Sequence, residues 1–206
     1  MLRCGASVAF CLLLTPQVGQ ANDVGADVSF IDTCLGSTDL AAIEATLVAK
    51  GWSAATAENN ALIDGLAWIG TSQYFTTDSG GEHVEALLAL KTKAAHGLLR
   101  KVDIPQSKNR YFTRKTKAGE EALHVIWRQP VPKMIEVECR AALSSPLLSN
   151  ARTPIGKLDF PSFAQFTLRE AENENATLIH LSPDALAPLT PPNAIVTTYK
   201  TEKVTP

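Results

Sequence analysis

Along this chain the spacing of apolar residues changes from the three-to-four step of a helix to the alternation of a strand, and that change sets the class of fold. Val24, Val28, Ile31 and Leu35 recur at helical steps, and Gly36 supplies a stop. Ser37 or Thr38 can cap a second helix with Asp39 in its first turn. Leu40, Ile43, Leu47 and Val48 then hold one apolar stripe until Lys50-Gly51 closes it. Trp52 follows as a plug for the core. A third helical stretch, Glu58 to about Gly70, carries Leu62, Ile63, Leu66 and Ile69 on one side, with Gly65 as its weak point.

Beyond the turn-forming run Thr76 to Gly81 the segments shorten. Residues 84–91 suit a helix or a buried strand equally. Strands are read at Leu123–Trp127 and Ile135–Cys139, with a loop over Gln129–Lys133. Ile135, Val137 and Cys139 alternate with Glu136 and Glu138, so Cys139 faces inward. Phe163–Arg169 and Ala176–Leu181 make a hairpin around the polar tip Glu170–Asn175. Ala194–Tyr199 is a last strand after the proline-rich Pro188–Pro192, and residues 199–206 read as a frayed tail. Helices first and antiparallel strands later predict an α+β fold, N-terminal helices packed on a mainly antiparallel sheet.

The first residues predict a leader. Arg3 precedes an uncharged run, Cys4 to Leu14, and Gly19-Gln20-Ala21 offers the small residues a signal peptidase accepts. The apolar core is about half the ~20 residues a membrane span needs. Residues 1–21 are therefore expected to be cleaved, leaving 22–206 as one exported, soluble domain, periplasmic or extracellular, without a transmembrane span. Cys4 and Cys11 leave with the leader. Cys34 and Cys139 remain as an even pair in an oxidising compartment, and a structural disulfide follows.

Charge is near balance, with a formal net charge of −2, which argues against a dedicated nucleic-acid binder. Positive charge is uneven, however: nine of the 19 basic residues fall between Lys91 and Lys117, against the single acid Asp103. Within that run Lys108, Arg110, Tyr111, Arg114 and Lys115 interleave bases with an aromatic, a composition suited to gripping phosphate, acidic glycan or anionic lipid. His83, His96, His124 and His180 lack the spacing that presents two ligands to one metal, so no metal and no cofactor are expected. His124, between Leu123 and Val125, reads most simply as a solvent-side strand residue. Asn175-Ala176-Thr177 would accept a glycan in a eukaryotic secretory pathway.

Asp78-Ser79-Gly80-Gly81 resembles the segment around the nucleophilic serine of trypsin-like proteases, and Ala94-Ala95-His96-Gly97 the segment around that family's histidine. Here the two stand in reverse order, and a surface turn accounts for Asp-Ser-Gly-Gly without chemistry. The expectation is an exported non-catalytic binding protein that recognises an envelope protein or an anionic glycan or lipid. The alternatives are a hydrolase assembled only in the fold around Ser79, His83 or His124, and a structural or inhibitory envelope protein.

Overall fold

The computed structural model describes residues 28–75, 83–145 and 156–204. The leader Met1–Ala21, the start of the first helical stretch and the Asp78–Gly81 motif lie outside the described residues. Helices α1 (Phe30–Gly36), α2 (Leu40–Ala49), α3 (Asn60–Ser72) and α4 (Val84–Leu99) come first, with the two-residue strand β1 (Ser53–Ala54) between α2 and α3. Seven longer strands follow: β2 (Ser107–Lys115), β3 (Glu120–Val131), β4 (Met134–Leu143), β5 (Gly156–Asp159), β6 (Phe163–Ala171), β7 (Glu174–Leu181) and β8 (Ala194–Lys203). All are antiparallel neighbours in one sheet, ordered β1-β2-β3-β4-β8-β7-β6-β5, and the fold is α+β.

Several local expectations are corrected. Asp39 itself caps α2, its carboxylate accepting from the Ala41 N–H at 2.9 Å, while Ser37 Oγ accepts from the Asp39 N–H at 3.0 Å. Val48 lies off the buried stripe, 57% exposed, while Leu40, Ile43 and Leu47 are buried. Residues 84–91 open α4, sixteen residues long. The loop drawn over Gln129–Lys133 shrinks to Pro132 and Lys133, because β3 carries on through Pro130 and Val131 past an irregularity in register. Lys133 takes the positive φ of 67° that so tight a turn demands.

The expected tail is strand as well. β8 pairs with β4 as far as Lys203 opposite Met134, so residues 199–203 are not frayed. Lys200 explains why a polar segment stays in the sheet: its ammonium donates to the Leu35 carbonyl at the end of α1 at 2.6 Å and reaches Glu174 at 3.4 Å.

Alternation along the strands sorts the core into two clusters. Leu123, Val125, Val137 and Cys139 join Phe30, Ile43, Leu47 and Trp52 of the α1–β1 region. Ala122, Ala142 and Ile195, the intervening residues, join Leu62, Leu66 and Ile69 of α3. In the first cluster the Cys34–Cys139 disulfide ties α1 to β4 across 105 residues. In the second, Gly65 is the point of closest approach: a Cβ there would collide with the Cβ of Ala122. The glycine that weakens the helical pattern is thus what lets α3 lie against β3.

Candidate functional site

The five residues singled out on β2 are divided by the strand's alternation. Lys108, Arg110 and Arg114 share the parity of the buried Phe112; Tyr111 and Lys115 point the other way. The ammonium of Lys108 lies 5.3 Å from the Trp127 ring centroid. Arg110 is held by Glu44 at 2.8 Å and Asp103 at 2.6 Å, and Asp103 keeps its charge through that hydrogen bond and that of the Asn109 N–H, despite opposing desolvation. Arg114 bonds the buried Glu121 at 2.7 Å and covers Trp52 at 4.4 Å. Lys115 is exposed at the strand's end. A hollow of about 380 Å³ beside Lys108 and Arg110 is also lined by Asp39 and Glu44, so an anion there meets two carboxylates as well as two cations.

Tyr111 leads to a different place. Its hydroxyl donates to the Leu98 carbonyl at 3.1 Å, and its ring stacks on His124 with centroids 4.7 Å apart. Register makes His124 the direct cross-strand neighbour of Tyr111 on one side and of Arg140 on the other. His124 is only 4% exposed, which corrects the reading of it as a solvent-side residue. It faces the layer containing α3 and lines a cavity of about 420 Å³.

That cavity has two chemistries. Leu66 and Ile69 of α3, Leu98 of α4 and Ile126 of β3 form an apolar side. Asn109, His124, Arg128 and Arg140 form a polar side, with Lys101 just after the end of α4. Three cations and no carboxylate are among the lining residues. On the same side of β4 as Arg140, Glu138 bridges both arginines, at 2.6 Å from Arg140 and 3.5 Å from Arg128.

Neutrality of His124 follows from this setting. Burial pushes the imidazole down to about 3, and Arg140, Arg128 and Lys101 add repulsion in the same direction. Its Nε2 lies 2.9 Å from Asn109 Oδ1. An amide oxygen only accepts, so Nε2 carries the proton and Nδ1 is the ring's bare acceptor.

A larger cavity, about 520 Å³, lies between α3, α4 and the Pro188–Pro192 segment, with Asp64, Glu120 and Ser144 as its polar lining. Its two carboxylates are exposed and Glu120 already accepts from Asn59 Nδ2 at 3.4 Å, so it has neither a buried ionisable group nor a charge of one sign set against an apolar wall. His83, exposed, precedes α4 at the end opposite Leu98 and Lys101, and sixteen helical residues span ~24 Å. His83 and His124 are therefore not brought together. His96 and His180 are exposed. Among the described residues no three His, Cys, Asp or Glu side chains gather as metal ligands would.

Sequence reasoning missed Lys101, Asn109, Arg128 and Arg140 as a group. The available signal was parity: His124, Ile126 and Arg128 share one side of β3, and Glu138 and Arg140 one side of β4. Comparison with protein-family models, curated proteins and solved structures returned no match for this chain.

Proposed function

We propose that the protein is a non-catalytic binding protein of an exported setting, and that it takes the anionic group of its ligand in the cavity floored by His124, Arg128 and Arg140. The observation that carries this reading is the charge of the lining: three cations around a buried neutral imidazole, with no carboxylate among them. Beside the buried His124 and the half-buried Arg140 a negative group gains more than at a fully solvated lysine, while Arg128 and Lys101 stand more exposed. Arg128 and Arg140 also keep N–H donors beyond those they give to Glu138, in the planar geometry that carboxylates and phosphates match.

The same features favour binding over catalysis. An imidazole titrating at about 3 is poorly matched to general-base work at neutral pH, where protonating it costs on the order of 5 kcal/mol. The basic residues of β2 are the weaker place for an anion, since the hollow beside Lys108 and Arg110 is itself lined by Asp39 and Glu44, and Arg114 is bonded to the buried Glu121. Export is supported by the Cys34–Cys139 bridge, which suits an oxidising compartment. No helix among the described residues is long and apolar enough to cross a membrane.

The test is titration calorimetry of the disulfide-bonded protein with inorganic phosphate, benzoate and decanoate, repeated on the Arg128→Gln/Arg140→Gln variant. At least one anion should bind the unaltered protein and lose tenfold or more in the variant. Equal binding by both proteins, or by neither, would remove the reading.

A further inference from the structure

We propose that the ligand of this cavity is an amphipathic monocarboxylate, its charged head on Arg128 and Arg140 and an unbranched apolar body along Leu66, Ile69, Leu98 and Ile126. This rests on the anion-binding reading and narrows it to a chemical class.

Shape and lining decide against a small inorganic ion. A cavity of about 420 Å³ falls within the ~300–1,000 Å³ of small-molecule sites. An ion seated on the arginines would leave the opposite side, four aliphatic residues, facing water. An unbranched alkyl body would cover it, at ~0.8 kcal/mol per buried methylene.

Charge bookkeeping over the whole face points to one negative charge. Arg128, Arg140 and Lys101 supply three positive charges near His124, and His124 adds none while it is neutral. Glu138 bridges the arginines, and Glu136 stands opposite Arg128 in register, on the same side of β4. Two negative charges against three positive leave one to be matched. A carboxylate matches it; a phosphate dianion would overshoot.

The mouth extends the apolar wall outward. Val102 and Ile104, also lining residues, are 85% and 55% exposed on the connection from α4 to β2. Single exposed apolar residues are ordinary on any protein surface. These two continue the side formed by Leu98 and Ile126, so a chain too long for the interior would leave the cavity across them.

The experiment is calorimetry of the whole disulfide-bonded protein with hexanoate, octanoate and decanoate, and with octanol and inorganic phosphate as controls. Affinity should rise about fourfold per methylene until the cavity is filled and then level off. Octanol should bind at least tenfold more weakly than octanoate. Replacing the exposed rim, Val102→Ser/Ile104→Ser, should leave hexanoate unchanged and reduce the gain of decanoate, without threatening the fold. Phosphate binding as tightly as decanoate, and lost in Arg128→Gln/Arg140→Gln, would overturn the amphipathic class while the anion reading stands. Equal affinity for hexanoate and decanoate would overturn it too. Absence of binding by every anion would end both.

Discussion

The two sides of the sheet are built to different rules. The side facing α1 and α2 is packed with Leu123, Val125, Val137 and Leu143, and it is bolted by the disulfide to α1. The side facing α3 is packed too, by Leu62, Leu66 and Ile69 and most tightly where Gly65 meets Ala122, but one step further along β3 it opens at His124 into a cavity lined by guanidinium groups and imidazole. A single strand contributes to both, because neighbouring residues of β3 point in opposite directions. Division of labour follows: one side holds the fold together, and that rigidity lets the other keep charged groups and empty space that would be costly on their own.

Breaking the bonded side should cost most. Cys34→Ala/Cys139→Ala releases a loop of 105 residues, and chain entropy sets the loss near ~4.7 kcal/mol as an upper figure. Urea unfolding should show the midpoint falling by the corresponding amount, and an unchanged midpoint would mean that α1 is fixed by packing alone. Gly65→Ala attacks the contact on the other side. Overpacking against Ala122 should cost about 1–3 kcal/mol, set against ~1 kcal/mol of improved helix propensity, so net destabilisation is expected from thermal unfolding. A gain in stability would show that α3 stands further from β3 than described.

A third test is graded by pH, so that its effect is small near neutrality and grows only as acid is added. His124 titrates at about 3 when folded and near 6.5 when unfolded, so the unfolded chain binds the extra proton between those values. This contribution to stability is complete above pH 6.5 and is lost as pH falls toward 3, at up to ~1.4 kcal/mol per unit. Unfolding free energies of His124→Gln should fall less steeply over that window than those of the unaltered protein. Parallel slopes would place the imidazole in contact with water.

Such differences bear on what can be read from residues alone. α2, β4 and the disulfide are legible, since helical periodicity, alternation and cysteine parity are local or compositional signals. The cavity is not, because it depends on register: nothing near His124 in the chain announces that Tyr111 and Arg140 lie on either side. The basic run on β2 misleads for a related reason. Its charges look unopposed along the chain, yet Glu44, Asp103 and Glu121 meet them in space. The polar end of β8 reads as tail because the partner of Lys200, the Leu35 carbonyl, is 165 residues away.

The place of β8 also bears on how the sheet is assembled in time. It follows every other described strand in the chain, yet it sits between β4 and β7 and alone joins β1–β4 to β5–β7. Until residues 194–203 are made, the nascent protein holds two half-sheets, each with an unsatisfied edge able to template pairing with another molecule. Synthesis that stops short of Ala194 would therefore yield two adhesive fragments on one thread rather than a slightly shortened protein.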